Sequence, residues 1–94
     1  MSVLLIRHRV RDFAAWKAVF DEDASARQAH GSRHERVFRD DSGADEVLLY
    51  LEWDDADRAH LFVRSDALRE WMARSGVAGQ PTVCMPKEVD RRPF

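Results

Sequence analysis

The chain opens on an alternating apolar block. In an extended backbone Leu4, Ile6, His8 and Val10 share one face, and Val3, Leu5, Arg7 and Arg9 share the other. Both faces begin apolar and one ends charged, which predicts a strand covered on both sides over part of its length. Beyond Asp12, a good N-cap residue, the apolar period becomes helical. Phe13, Trp16, Phe20, Ala24 and Arg27 fall on one stripe, and Gly31 suits the stop, so one helix is predicted over Asp12–Ala29. A second strand, Arg33–Arg39, has only Val37 and Phe38 as strongly apolar residues and is expected to be partly exposed. Asp40–Asp45 has turn composition. Glu46–Trp53 carries the clearest strand pattern: Val47, Leu49, Leu51 and Trp53 on one face, Leu48, Tyr50 and Glu52 on the other. It is predicted to be central and covered twice.

Asp54 or Asp55 caps a second helical region, with Ala56, Ala59, Leu61, Phe62 and Val63 as its apolar positions. Ser65 acts as a new N-cap in mid-run, so two pieces are predicted, Asp55–Arg64 and Asp66–Ser75, the second built on Leu68, Trp71, Met72 and Ser75. Gly76 ends it. Gly79-Gln80-Pro81 reads as a loop and Thr82–Met85 as a short last strand, with Pro86 marking an edge or an end. Phe94 has no local partner, so the tail is either loose or lies across a second subunit. The order β-α-β-β-α-β predicts an α+β, ferredoxin-like domain over residues 1–94: a four-stranded antiparallel sheet with both helices on one face. The opposite face is left bare, which predicts a homodimer formed through the open sheet face.

Composition narrows the function classes. The 94 residues are 45% hydrophobic and 34% charged, with a formal net charge of −2, and the pI is near 6.0. Lys and Arg form no block, so a nucleic-acid partner is not expected. The apolar runs Val3–Ile6 and Val47–Leu51 are too short to cross a bilayer, and strand-like sequence from residue 3 argues against a signal peptide; a cytoplasmic protein with no membrane partner is expected. The single cysteine, Cys84, excludes an internal disulfide and a multi-cysteine zinc site, and is expected to be buried.

His8, on an otherwise apolar strand face, is the candidate catalytic residue. It reads either as a proton shuttle or as a hydrogen-bonded structural histidine. Trp16, Phe20, Tyr50, Trp53, Phe62 and Trp71 are candidate substrate-binding residues, with Phe13 beside them: an aromatic pocket for a flat molecule, or plain core. His60 is a further candidate, facing the helix–sheet space or solvent. His30 and His34 are separated by Gly31 and make no helical metal pair, so no metal is expected. Arg7 and Arg9 either pair with carboxylates across a dimer or are solvated, and Arg27 is expected in a weak surface pair at the sheet edge. Triad, phosphate-loop and dinucleotide motifs are not seen.

Several segments together resemble one family. They are His8-x-Val10-x-Asp12-Phe13-x-x-Trp16-Lys17-x-x-Phe20-Asp21, Arg27-x-x-x-Gly31, Glu52-Trp53-Asp54-Asp55, Ser65-x-x-Leu68-Arg69-Glu70-x-Met72 and Gly76-Val77-x-Gly79-x-Pro81. The chain resembles the small dimeric α/β-barrel proteins of the antibiotic-biosynthesis-monooxygenase superfamily, whose relatives include cyclase-like proteins. The resemblance implies a homodimer whose two sheets form a barrel, with a pocket between helices and sheet in each subunit and Trp16 and Trp53 as its favoured walls. Relatives tend to carry a Pro-Asn step before the third strand, where this chain has Ala44-Asp45. A cofactor-free monooxygenase or a cyclase acting on a small apolar or aromatic molecule fits, with His8 as the proton acceptor and no cofactor. The alternative is a non-catalytic stress or accessory dimer whose pocket is filled by its own side chains. Haem binding through His8 or His60 ranks third.

Overall fold

Two apolar strands form the middle of the structure. The computed structural model describes residues 2–42 and 45–94. Its elements are β1 (Ser2–Val10), α1 (Phe13–Glu22), α2 (Ala24–His30), β2 (Ser32–Arg39), β3 (Glu46–Trp53), α3 (Ala56–Val63), α4 (Asp66–Ser75) and β4 (Val77–Cys84). The strands make one antiparallel sheet in the order β2-β3-β1-β4. This is the expected ferredoxin-like α+β architecture, with each predicted helical region split in two. β1 and β3 pair without interruption from Ser2 opposite Trp53 to Arg9 opposite Glu46. That register sets Leu4 opposite Leu51, Ile6 opposite Leu49 and His8 opposite Val47, all buried. Trp16 and Phe20 of α1 and Leu68 and Trp71 of α4 belong to the same core cluster.

Local chemistry sets the helix ends. The Asp12 carboxylate accepts from the amides of Ala14 (3.0 Å) and Ala15 (3.4 Å), Asp55 from Asp57 (2.7 Å), and the Ser65 hydroxyl from Leu68 (3.2 Å). The break at Ser65 stands as expected. A second break, at Asp23, was not expected: its backbone leaves the helical region at ψ 5°, and its carboxylate accepts from Arg74 of α4 at 2.7 Å. The bend shifts the phase of the stripe, so Ala24 is exposed while Arg27 is buried. Gly31 closes α2 at φ 122°, where a Cβ would lie 2.8 Å from Asp54 Oδ1.

Other expectations are corrected. Leu61 and Ala56 are exposed rather than apolar anchors, because α3 buries only Ala59 and Phe62. Cys84 is exposed: it pairs with Leu5 on the sheet face away from the helices. β3 is central, but within the chain only one of its faces is buried; Leu48, Tyr50 and Glu52 are half-buried. β4 starts at Val77 and takes in Gly79-Gln80-Pro81; as an edge strand it tolerates a proline that cannot donate to the ladder. Opposite His8 its register jumps, from Arg7 facing Thr82 to Arg9 facing Ala78. Of the predicted Asp40–Asp45 turn, and of the Ala44-Asp45 departure, Gly43 and Ala44 lie outside the described residues. Among the described residues no helix is long and apolar enough to cross a membrane.

Candidate functional site

His8 projects from β1 towards the helices, 3% exposed, and its ring lies 5.6 Å from that of Trp16 and 6.2 Å from that of Trp71. Neither Nδ1 nor Nε2 has a hydrogen-bond partner among the described residues, and the same holds for the indole nitrogens of Trp16 and Trp71. A neutral imidazole offers one donor and one acceptor. Four buried nitrogens in contacting rings are thus left without a partner among the described residues. Natural cores rarely leave such groups unpaired, and each asks for an explanation. Burial disfavours the imidazolium and lowers the His8 pKa from 6.5 to about 4. The ring is therefore neutral at physiological pH and free to accept a proton.

The aromatic candidates form a column. Phe13, Trp16 and Phe20 stack at 5.7 and 5.1 Å between centroids. A guanidinium caps each end, Arg39 at 4.2 Å from Phe13 and Arg27 at 3.7 Å from Phe20. Trp71 leans against His8, Trp16 and Phe20. Trp53 packs on Phe62 (5.0 Å), which also meets His30 (5.8 Å). These rings fill the layer between helices and sheet: Trp16 and Trp53 are fully buried and Trp71 is 5% exposed.

Two candidates lie elsewhere. Tyr50 points to the opposite sheet face, donates to Glu52 at 2.8 Å, and through that hydrogen bond, with some desolvation, has its phenol pKa raised. His60 is exposed on α3. Both border a wide groove of about 850 Å³ that Leu5, Met85, Lys87 and Arg91 also line. A smaller cleft of about 270 Å³ lies at the register jump of β4, lined by His8, Arg7, Glu46, Gly79 and Gln80.

A profile of the family described as antibiotic biosynthesis monooxygenase matches residues 3–74. The chain belongs to this family. Solved structures agree with the fold. A protein of Bordetella bronchiseptica, described as a candidate antibiotic biosynthesis monooxygenase, superposes with a TM-score of 0.75 at 19% identity, over 94% of this chain and 97% of that one. A Caulobacter crescentus protein described in the same terms gives 0.73 at 16% identity, over 95% and 90%. SnoaB, a cofactor-independent oxygenase from Streptomyces nogalater, gives 0.70 at 13% identity, over 94% of each chain. A comparison with curated proteins returns no match.

Within this antibiotic biosynthesis monooxygenase fold, the residues named from sequence fall into three groups. His8, Trp16, Phe20 and Trp71 meet under α1 and α4; Trp53 and Phe62 pack together near α3; Tyr50 and His60 border the groove. Arg27 was misjudged as a surface residue. It is 3% exposed and donates from Nε (2.7 Å) and Nη2 (3.1 Å) to Glu35, whose Oε2 also accepts from the buried Ser32 hydroxyl at 2.9 Å. The signal was present, since an arginine continuing the Phe13-Trp16-Phe20 stripe sits where apolar residues are expected. The register jump opposite His8 had a weaker signal, glycine and proline two residues apart.

Proposed function

We propose that this chain is a cofactor-independent oxygenase that takes a small electron-rich aromatic molecule into the helix–sheet layer and works as a homodimer. One observation carries the reading: the neutral His8 imidazole packs against two indole rings, and all four ring nitrogens are buried without a hydrogen-bond partner among the described residues. Such a cluster destabilises a core and suits a ligand oxygen flanked by a proton acceptor. His8 would take a proton from an activated CH₂ of the substrate. The carbanion then gives an electron to O₂, the radical pair combines to a peroxide, and loss of water leaves C=O; the balance is CH₂ + O₂ → C=O + H₂O, with the substrate as reductant. A pKa near 4 makes His8 a weak base. The substrate anion left beside it raises that basicity, because opposite charges attract strongly in a dry site. The family assignment and the oxygenase fold neighbour support this reading.

The homodimer reading rests on the sheet face away from the helices. Leu5, Leu48 and Tyr50 are half-buried there, and Phe38 is 47% exposed. Isologous pairing of two such faces would cover them.

The filled aromatic layer favours a second reading, a non-catalytic dimer whose own tryptophans occupy the pocket. Oxygen uptake with a panel of hydroxylated aromatics bearing an acidic CH₂ separates the two. The oxygenase reading expects turnover to a carbonyl product, and His8→Ala to lower kcat by about 10²- to 10⁴-fold. No uptake with any member leaves the filled dimer as the account, and turnover unchanged in His8→Ala removes His8 as the proton acceptor.

A further inference from the structure

A substrate beside His8 needs room, and the resting layer has little: Trp16 is fully buried there and Trp71 is 5% exposed. One of these two rings has to leave before another ring enters, and they are held differently. Trp16 is the middle of the Phe13–Trp16–Phe20 stack, whose ends Arg39 and Arg27 cap. Trp71 stands outside that stack. It meets His8, Trp16 and Phe20 at interplanar angles of 85°, 56° and 54°, so none of these rings lies face to face with it. No side-chain hydrogen bond to a described residue tethers its ring.

The Trp71 ring also has somewhere to go. A cleft of about 160 Å³ opens between α2 and α4, and Trp71 forms part of its wall. Ala26 of α2 and Ala67 of α4 line it too, both exposed, and small side chains on both helices leave the gap open. A space of roughly 150 Å³ accepts a benzene-sized ring, and an outward side lined by exposed residues lets the larger indole overhang into solvent. A long side chain on a helix has two usual χ1 wells, near 180° and near −60°. The ring can therefore change place while the α4 backbone keeps its hydrogen bonds.

We propose that Trp71 is the gate of the substrate site: its indole turns into the α2–α4 cleft, and a flat aromatic molecule of one or two fused rings takes the place it leaves beside His8 and Trp16. The inference rests on the oxygenase reading and sharpens it in two ways. A layer filled at rest becomes compatible with entry, and the outline of an indole sets the limit on the substrate, so that three fused rings are refused.

The test is an NMR titration with indole of the full chain, its three tryptophans replaced by 5-fluorotryptophan. Indole is expected to bind saturably with a Kd of about 1 mM. It should move the Trp71 fluorine and the His8 ring resonances and leave the Trp53 fluorine in place. Trp71→Ala holds the gate open and is expected to bind indole about tenfold more tightly, because no population is then lost to the closed state. Ala67→Phe fills the cleft from the exposed side of α4 and is expected to weaken binding about tenfold or more. The double variant is expected to regain the affinity of Trp71→Ala, which separates a blocked gate from a damaged fold. Binding unchanged in Ala67→Phe, no tighter in Trp71→Ala, or without movement of His8 overturns the proposal, and so does the absence of saturable binding in both the parent and Trp71→Ala. The oxygenase reading fails separately. The expected variant effects on indole binding with no oxygen uptake from any aromatic keep the gate and remove the oxygenase. His8-dependent uptake that Ala67→Phe leaves unchanged keeps the oxygenase and removes the gate.

Discussion

Replacing His8 by leucine separates a residue kept for chemistry from one kept for packing. In the folded chain the imidazole is 3% exposed and neither nitrogen has a partner among the described residues. An unpaired buried polar group costs about 1–3 kcal/mol. Leucine carries no such group and matches the Leu4, Ile6 and Val10 face on which it would sit. His8→Leu is therefore expected to stabilise the protein at neutral pH by about 1 kcal/mol, or about 4–8 °C in Tm for a domain of this size. A structural histidine predicts the opposite sign.

pH supplies a second, independent reading of the same residue. The folded pKa is about 4 against 6.5 for the free side chain. Between those values the unfolded chain binds a proton that the folded chain refuses, so stability is fully present above pH 6.5 and falls as the pH drops towards 4. Between about pH 7.5 and pH 5 a single group of this kind removes about 2 kcal/mol, and the loss should vanish in His8→Leu while the carboxylate contributions remain common to both proteins. The assay is urea unfolding followed by fluorescence of the buried tryptophans, at matched protein concentration because association adds to stability. A leucine variant destabilised by more than about 1 kcal/mol, or one showing the same acid loss as the parent, refutes the argument.

Glu35→Gln leaves the buried Arg27 guanidinium without its counter-charge and is expected to cost about 2–4 kcal/mol, somewhat less than a fully buried pair because Glu35 keeps 23% side-chain exposure; a loss below about 0.5 kcal/mol in the same urea assay would place the pair among ordinary surface contacts. Gly31→Ala forces a side chain into φ 122° and to within 2.8 Å of Asp54 Oδ1. It should lower stability by about 1–3 kcal/mol, and an unchanged Tm would show that the α2–β2 junction relaxes freely.

The chain order of the elements and the grouping of residues by strand face were legible because they rest on period. A period of two in β1 and β3 fixes which residues share a face, and no tertiary contact can reverse that without turning every side chain over. His8 was found for the same reason, as a polar residue in an apolar series. The break at Asp23 was not legible: no glycine or proline marks it, and the partner of its carboxylate, Arg74, lies 51 residues away. Arg27 was misplaced for a related reason. Charge argued for the surface, while the stripe argued for the core, and only the position of Glu35 across on β2 decides between them. Tyr50 and His60 were grouped with the tryptophans by residue type, which carries no information about sheet face. β4 extends further than its glycine and proline suggest, since an edge strand is asked for fewer hydrogen bonds than a central one.

The jump in β4 brings the two halves of the proposed mechanism side by side. The cleft of about 270 Å³ at that jump is lined by His8 together with Arg7 and Glu46. Arg7 and Glu46 pair at 3.6 Å on the face that homodimer formation would cover. The His8 ring points the other way and is 3% exposed in the single chain, so pairing two sheets there leaves the burial of the ring as it is. Leu48→Arg places a charge in the middle of that face and is expected to halve the mass in solution, read by light scattering. The His8 ring in the Leu48→Arg chain should titrate at the same low pH as in the parent, because its burial beneath α1 and α4 is complete in the single chain. NMR of the imidazole resonances across about pH 3–7 reads both titrations directly. A mass unchanged by Leu48→Arg removes the open-face dimer. A halved mass with an unmoved His8 titration keeps the dimer and removes its influence on the acid–base group, so that burial beneath α1 and α4 alone accounts for the depressed pKa.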